Sequence, residues 1–337
     1  MTESLLPREL FDPLRRVLAQ KRVMYIPNPG NVGDQLIAAS TRNFFNEILT
    51  EVVDDWERAE LLVCAGGGSL GTLYPKPLGI RQEKLWEAHE RGLRCVILPQ
   101  SLTQDGEEFP PDTIIFAREK LTLSRISGSI LVPDMALSFR IERSILPKPE
   151  HETGVFLRRD IERASPMVRN LGDPAAMTSS WQEYVSLAAR YQHVITDRLH
   201  FAIGALLAGR EATLLANSYP KNRSIYDAWL ANIGCKWLDD PSEAGLERFV
   251  DPYEGMEMSL VCFQSGNFAG CIAAARSVIE VRPDHAGAWN NICAALNQLG
   301  RFKEAKEAGE EALRLLPDFA LAKGNLEVSL EELRKLE

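Results

Sequence analysis

The amino-acid sequence predicts an α/β protein that ends in a short all-helical tail. Short, continuously apolar segments alternate with helical patterns along most of the chain, which is typical of parallel sheets covered by helices on both faces. The alternation is interrupted once, at the proline-rich segment 147–149, and it stops near Pro252, where a 34-residue repeat begins. We therefore predict three domains, over residues 1–148, 149–248 and 249–337.

The first domain opens with residues 3–20, whose apolar side chains recur at helical spacing. The apolar run from Arg22 to Ile26 predicts the first strand, because Pro27 and Pro29 end it. The alternation then continues to the proline-rich segment. We predict further strands over residues 61–65, 94–99, 113–117 and 129–132, and helices over residues 34–50 and 79–91.

The second domain is smaller and repeats the same alternation. Residues 193–196 form an apolar strand pattern that leads directly into a helical pattern over 199–207, which Gly209 closes. Strands are also predicted over residues 154–158 and 212–216, and helices over residues 179–191 and 225–233.

The tail contains two similar segments. Gly266-Asn-Phe matches Gly300-Arg-Phe, and Ala274 matches Ala308, each at an offset of 34 residues. This is the period of tetratricopeptide (TPR) repeats, which are helix–turn–helix units. Isolated arrays of this kind usually need three or more repeats, so we expect the tail to dock on the second domain. Two roles stay open for it, binding a protein partner or covering an apolar surface.

The composition excludes several classes of protein. A net charge of −9 argues against a large nucleic-acid interface, which needs clustered cations. The N-terminal residues contain no apolar signal-peptide core, and no segment has the roughly 20 apolar residues needed to cross a bilayer. The six cysteines lie in apolar surroundings without CxxC spacing, so we interpret them as reduced core residues. We expect a cytoplasmic protein without a transmembrane segment.

Polar or glycine-rich residues follow successive strands of the first domain, at the sheet edge where ligands bind in such folds. Asn31, Gly33 and Asp34 follow the first strand, where glycine permits close approach and a helix N-terminus favours an anion. A simpler interpretation of Asp34 is a helix N-cap. The next strand ends in Gly66-Gly67-Gly68-Ser69, which can offer several N–H donors and a hydroxyl to a phosphate or carboxylate.

Later strands of this domain end in the same way. Gln100 and Ser101 follow the third strand, Arg118 the fourth, and Pro133-Asp134 the fifth. Five such positions at successive strand ends predict a binding cleft.

The second domain adds cations at the corresponding edge. Arg158 and Arg159 follow its first strand, and guanidinium groups suit bidentate contacts with carboxylates or phosphates, although one of them could instead pair with Asp160 or Glu162. Arg198 and His200 lie in a strand-to-helix turn, where a histidine can move a proton near neutral pH or simply cap the helix. Lys221 follows the next strand.

In this order the motifs resemble those of the polysaccharide pyruvyltransferase family. The segments that carry the resemblance span residues 22–230, most of the chain apart from the tail. They are Gly30-Asn-Val-Gly-Asp-Gln-Leu-Ile37, Gly66-Gly-Gly-Ser69, Leu98-Pro-Gln-Ser101, Ala117-Arg-Glu119, Pro133-Asp134, Arg158-Arg159, Thr196-Asp-Arg-Leu-His200 and the region of Lys221.

The resemblance implies two Rossmann-like domains arranged as in GT-B glycosyltransferases, with the cleft between them. It implies transfer of the pyruvyl unit of phosphoenolpyruvate to two hydroxyls of a sugar, which forms a cyclic ketal and needs no cofactor or metal. By the same resemblance, Arg198 holds the donor's phosphate or carboxylate and His200 is the general acid/base. An arginine of the Arg158–Arg159 pair holds the donor's other anionic group, and Asp34 activates an acceptor hydroxyl.

Two other functions fit parts of the pattern. A sugar-nucleotide glycosyltransferase would use the same cleft, but the segment after Ala216 offers no clear base- and ribose-binding region. A non-catalytic scaffold acting through the TPR-like tail is the other alternative, and the Arg198/His200 pair argues against it.

Overall fold

The computed structural model describes residues 4–71, 75–102, 107–160, 162–163, 168–217, 220–239, 243, 245 and 252–336. The chain divides into two compact units. One, here the sheet unit, consists of Met1–Phe156, Gly172–Leu215 and Tyr219–Trp237. The other, the tail unit, consists of Leu157–Leu171, Ala216–Ser218 and Leu238–Glu337. The domain boundary predicted at 148/149 therefore falls inside the sheet unit, and the one predicted at 248/249 lies outside the described residues.

The first sheet has strand order β2-β1-β3-β5-β6-β7, with β4 paired to β5, and the pairs are parallel. Most of β3 and β5 is fully buried, as expected for a parallel sheet covered on both faces. Its strands are β1 (Arg22–Ile26), β2 (Glu51–Val53), β3 (Leu61–Cys64), β4 (Gly67–Leu70), β5 (Arg94–Leu102), β6 (Ile114–Ala117) and β7 (Ile130–Leu131).

The helices around this sheet begin with a turn of 3-10 helix, Arg8–Phe11, where the sequence predicts a single helix from residue 3. Pro13 explains the later start of the α-helix, because proline is favoured in a first helical turn. The helices are α1 (Asp12–Leu18), α2 (Val32–Glu47), α3 (Pro75–Glu90) and α4 (Lys120–Arg125), with 3-10 helices at Met135–Ser138 and Arg143–Ile145.

The second sheet has strand order β11-β10-β9-β8, in which β8, β9 and β10 are parallel. Its strands are β8 (His151–Phe156), β9 (Tyr191–Thr196), β10 (Glu211–Leu215) and β11 (Lys236–Leu238). Its helices are α5 (Pro174–Met177), α6 (Trp181–Ala189), α7 (Leu199–Leu207) and α8 (Lys221–Ile225), followed by a π-helical turn Tyr226–Leu230 and a 3-10 turn Ala231–Ile233.

One hydrophobic core joins the two sheets of the sheet unit. It contains Phe44 of α2 and Phe116 of β6 together with Phe156 of β8 and Phe201 of α7. In α7 all residues except His200 are buried, because a helix that is apolar all round must be covered on all sides. The only partly exposed residue of this helix is thus the predicted acid/base histidine.

The tail consists of helices whose starting points confirm the predicted repeat. Helices α9, α11 and α13 begin at Pro252, Ala286 and Ala320, so they start 34 residues apart. Gly266 and Gly300 occupy the matching turns with φ of 76° and 69°, values that favour glycine. The tail helices are α9 (Pro252–Gln264), α10 (Phe268–Val281), α11 (Ala286–Gln298), α12 (Phe302–Leu315) and α13 (Ala320–Leu336).

The cysteines, the lengths of the helices and the core of the tail can be compared with what the sequence predicts. All six cysteines are buried and free, so their predicted place in the core is confirmed. None of the helices in the described part of the chain has the length and apolar character needed to cross a bilayer. Small residues such as Cys271, Ala275 and Ala288 fill the core of the tail helices.

Candidate active site

Asn31 and Asp34 form the N-terminal cap of α2. The Asn31 side chain accepts a hydrogen bond from the N–H of Gly33 at 2.8 Å, and the Asp34 carboxylate accepts one from the N–H of Asn31 at 3.0 Å. Asn31, rather than Asp34, is therefore the N-cap, and Asp34 is its partner in a capping box. The other Asp34 oxygen accepts a hydrogen bond from the Asn28 side chain at 3.3 Å.

The glycine-rich segment is strand β4 rather than a turn. Gly67 has φ of 139°, a conformation that side chains rarely adopt, and the register to β5 shifts between Gly67 and Leu70. The Gln100 side chain accepts a hydrogen bond from the N–H of Ser69 at 3.2 Å and donates one to the carbonyl of Ala65 at 2.9 Å. Gln100, a predicted substrate ligand, thus uses both ends of its amide to shape this segment.

Arg118 is fully buried at the end of β6. Its Nε donates to the Ser101 hydroxyl at 2.8 Å and its Nη1 to Asp134 Oδ2 at 2.5 Å. Its Nη2 has no hydrogen-bond partner within the described part of the chain. An unpaired buried N–H group is costly, so this guanidinium is prepared to receive an acceptor.

Gly68 lies directly against this guanidinium. A Cβ atom at position 68 would come within 2.8 Å of Arg118 Nη2 and 3.2 Å of Lys221 Nζ. Two cationic groups therefore converge on a backbone position that has no side chain. We call Gly68, Arg118 and Lys221 the anion cradle.

His200 faces Asp134 from the start of α7. Its Nε2 lies 3.3 Å from Asp134 Oδ2, the oxygen that Arg118 also contacts, while Asp134 Oδ1 accepts from the N–H of Ala136 at 2.9 Å. Burial alone would raise the pKa of Asp134, but the charge and hydrogen bond of His200, followed by the charge of Arg118, hold it well below its ordinary value. Asp134 is therefore a carboxylate at neutral pH.

Asp34 is a second carboxylate on which the charge of His200 acts, and its pKa shifts in the other direction. Burial raises the pKa of Asp34, while the charges of His200, Lys221 and Arg118 act in the opposite direction. The Nδ1 edge of His200 packs on Gly33, where an added Cβ would lie 3.1 Å from that nitrogen. His200 thus faces a carboxylate of lowered pKa, and its charge acts on a second carboxylate of raised pKa, an arrangement that suits proton transfer.

Comparison with known proteins decides the family. Residues 31–219, more than half of the chain, match the family model described as polysaccharide pyruvyl transferase. This chain belongs to the polysaccharide pyruvyl transferase family.

Two proteins of Bacillus subtilis (strain 168) are similar to this member of the family over most of their length. "Putative pyruvyl transferase EpsO" is 26% identical, with 68% of this chain and 91% of that protein covered. "General stress protein 30" is 27% identical, with 70% of this chain and 86% of that protein covered.

A solved structure shares the fold of the chain, and a receptor is similar to it in sequence over a short segment. The structure of a functionally uncharacterised protein from Klebsiella pneumoniae subsp. pneumoniae NTUH-K2044 shares the fold with a TM-score of 0.56 and 23% identity, covering 71% of this chain and 100% of that one. A peroxisomal targeting signal receptor of Eremothecium gossypii is 34% identical over 80 residues, or 24% of this chain and 14% of the receptor.

Within this member of the family, Arg198 is engaged by a neighbouring carboxylate. Its Nε and Nη2 contact the two oxygens of Asp173 at 2.9 Å and 2.5 Å, and both side chains are buried. The bidentate pair fixes the turn before α7 and so fixes the start of the helix that carries His200. Binding of the donor by Arg198 stays a prediction.

Arg158 and Arg159 belong to the tail unit. Arg158 contacts Asp160 at 2.7 Å and Glu162 at 2.5 Å, the pairing that the sequence left open. Arg159 is more exposed and lies 3.1 Å from Glu254. Their predicted role in binding the donor stays a prediction.

Two residues with a clear structural role were absent from the predicted substrate ligands. Asp134 joins Arg118 to His200, and its place directly after a strand was the available signal. Asn28 donates to both Asp34 and Ser69, and no feature of an isolated asparagine between two prolines indicates that. In the described ranges, no three or more His, Cys, Asp or Glu side chains are grouped so as to hold a metal ion.

Proposed function

We propose that the protein transfers the pyruvyl unit of phosphoenolpyruvate to two hydroxyls of a sugar in a polysaccharide or its precursor, forming a cyclic ketal and releasing phosphate. Membership of the family supports pyruvyl transfer on a polysaccharide. The observation that carries the finer proposal is the anion cradle beside a histidine–carboxylate pair, within one compact unit.

The cradle suits an anionic group of the donor. Arg118 Nη2 is a buried donor with no acceptor in the described part of the chain, and Lys221 adds a second positive charge next to Gly68. Hydrogen bonds between ionised groups are about twice as strong as neutral ones, and a phosphate or carboxylate oxygen supplies the missing acceptor. We assign this position to one of the two anionic groups of phosphoenolpyruvate.

His200 supplies the proton that starts the reaction. Because Nε2 faces the ionised Asp134, the proton that the protonated ring transfers is the one on Nδ1. Transfer of that proton to C3 of phosphoenolpyruvate leaves an oxocarbenium-like centre at C2. Asp134 orients the ring through Nε2, and Arg118 keeps that carboxylate in place.

The remaining steps balance the atoms of donor and acceptor. The oxygen of the first sugar hydroxyl bonds to C2, and its proton passes to Asp34, a base whose pKa is raised by burial. The bond between C2 and the phosphate oxygen then breaks, with the electron pair leaving on phosphate. The second hydroxyl adds to C2 in turn. Of the two hydroxyl protons, one replaces the proton given to C3 and the other leaves with phosphate.

The rest of the predicted organisation is retained in the proposal. We keep two Rossmann-like domains in a GT-B-like arrangement as a proposal, in which the residues after strands of the two sheets supply Asp134 and His200. The 34-residue spacing of the tail helices supports a TPR-like array, and its two roles, binding a protein partner or covering an apolar surface, both stay open. A cytoplasmic location remains a prediction.

Calorimetric titration with phosphoenolpyruvate, alongside a panel of nucleotide sugars, tests the proposal. We expect saturable binding of phosphoenolpyruvate that is weakened at least tenfold in Arg118→Lys and in Lys221→Gln. Arg125→Lys is the matched control, since Arg125 is exposed at the end of α4. Binding of a nucleotide sugar without phosphoenolpyruvate would overturn the proposal in favour of a glycosyltransferase.

A further inference from the structure

Arg81 and Glu107 form a buried ion pair beside the glycine-rich strand. Arg81 Nε and Nη2 contact the two oxygens of Glu107 at 2.5 Å and 2.7 Å, and the two side chains are 6% and 1% exposed. Taking two charges out of water is costly unless further hydrogen bonds satisfy them. Both residues also form hydrogen bonds with the backbone of β4 or of the residue directly after it.

The pair holds the backbone at two positions, one in β4 and one directly after it. Arg81 Nη2 donates to the carbonyl of Ser69 at 2.8 Å, and Glu107 accepts from the N–H of Gly71 at 2.6 Å. The Gln100 side chain accepts from the N–H of Ser69, as described above, and Asn28 hydrogen-bonds its hydroxyl. Ser69 is thus fixed at its N–H, its carbonyl and its side chain by three different residues.

These contacts replace the support that a regular strand would have. The register of β4 to β5 pairs Gly67 with Gln100 and Leu70 with Leu102 and shifts between them. Glycines 66 to 68 carry no side chains to pack, and glycine has the greatest backbone freedom to lose. The position of Gly68 therefore depends on side chains that hold the following residues.

We propose that Arg81 and Glu107 are positioning residues for the donor, which they serve by keeping Gly68 in contact with Arg118 and Lys221. This inference rests on the proposed function, because the anion cradle is the site that it concerns. Neither residue touches the donor, and both act through Ser69 and Gly71. A small displacement of Gly68 would separate the backbone from the two cations that meet it.

The test compares Arg81→Lys and Glu107→Gln with the wild-type protein. Lysine keeps the positive charge but has a single nitrogen. It therefore cannot reproduce the contacts of the two Arg81 nitrogens, which bind both oxygens of Glu107 while one of them also binds the carbonyl of Ser69. Arg91→Lys is the matched control, because Arg91 forms an exposed ion pair with Glu87 next to the end of the same helix, α3. We expect the dissociation constant and KM for phosphoenolpyruvate to rise about tenfold in Arg81→Lys, with the acceptor KM and the control unchanged.

Hydrogen exchange separates failure of this inference from failure of the proposed function. We expect Arg81→Lys and Glu107→Gln to speed amide exchange in a peptide covering residues 67–71, whether or not a donor is present. Unchanged exchange would overturn the inference, and so would an unchanged donor constant with only a lower Tm. If the wild-type protein does not bind phosphoenolpyruvate, the proposed function fails and this inference about donor positioning is overturned with it. Faster exchange in the variants would then show that Arg81 and Glu107 only stabilise the local structure around Ser69 and Gly71.

Discussion

The Nε2 atom of His200 lies 3.3 Å from Oδ2 of Asp134, and the two residues come from different sheets of one compact unit. The same carboxylate oxygen contacts Arg118, whose Nη2 points to Gly68. In the proposed function, donor binding and proton transfer therefore depend on one buried carboxylate. The predictions below test the members of this arrangement one at a time.

Replacement of His200 by glutamine should remove turnover and leave donor binding nearly unchanged. Glutamine keeps a hydrogen bond to Asp134 but cannot donate a proton to carbon, and loss of general acid catalysis costs on the order of 100-fold or more in kcat. Steady-state kinetics and calorimetry with phosphoenolpyruvate measure the two effects. His89→Gln is the control, since His89 is exposed on α3. Normal turnover in His200→Gln would contradict the role of this histidine.

Asp134→Asn should lower turnover and change the pH dependence of stability. The His200 ring loses the carboxylate that faces its Nε2 and orients it, so kcat should fall. Because the pKa of Asp134 is lowered in the folded protein, its ionised form stabilises the fold above the ordinary value of 3.8, and that stabilisation is lost as the pH falls. Denaturation of both proteins between pH 7 and pH 3 should show a difference that shrinks with acidity. A constant difference would argue against this role.

Alanine at two of the three consecutive glycines, Gly66 and Gly68, should give different results. At Gly68 the new Cβ would lie 2.8 Å from Arg118 Nη2, so we expect the donor dissociation constant to rise about tenfold. At Gly66 it would lie 2.6 Å from the backbone oxygen of Pro99, which should destabilise the fold by about 2 kcal/mol. Gly79→Ala is the control, because nothing lies within 4 Å of its Cβ position. Equal effects at 66 and 68 would show that position 68 has no special relation to the donor.

Arg198→Ala tests whether the buried Arg198–Asp173 pair has a role beyond structure. Removing the guanidinium takes the bidentate cationic partner from the buried Asp173 carboxylate, which still accepts from the N–H of Ala175, so we expect a loss of about 3 kcal/mol in unfolding free energy. The double variant Arg198→Met/Asp173→Leu should recover part of that loss, because Asp173 is also the N-cap of α5. If it also recovers donor affinity, Arg198 positions α7; if affinity stays weak, Arg198 contacts the donor, as the family resemblance implies.

Glycine in the turns of the tail should matter for stability. Gly300 has φ of 69°, so Gly300→Ala should lower the stability of the tail by about 1 kcal/mol. Gly324 lies inside α13 with nothing within 4 Å of its Cβ position, so Gly324→Ala should be neutral or stabilising. Urea denaturation followed by circular dichroism compares the two, and a loss at 324 equal to that at 300 would contradict this reasoning.

Elements with a strong local pattern could be predicted from the sequence. Helix α7 spans residues 199–207 as predicted, because its apolar run is long and a glycine follows it. Strand β2 is three residues long and largely exposed, so it leaves no periodic signal. Half of strand β4 is glycine, a residue depleted in strands. Its own sequence therefore does not predict a strand, and its pairing with β5 appears only in the structure.

Pairings between distant residues were harder to predict. The sequence places Arg118 and His200 at strand ends, but the distance between them depends on how two sheets share one core. Asp173 lies 25 residues before Arg198, and no local pattern relates the two. By contrast, the contact of Arg158 with Glu162 joins residues four positions apart, and it was foreseen as an alternative.

The contribution of both sheets to the site has a consequence for engineering. Asp34, Arg118 and Asp134 follow strands of the first sheet, whereas His200 and Lys221 come from helices of the second. Chimeras that exchange one half with a relative would combine an Asp134 and a His200 that were selected in different backbones. Recombination should therefore preserve activity only when the crossover keeps both residues from the same parent.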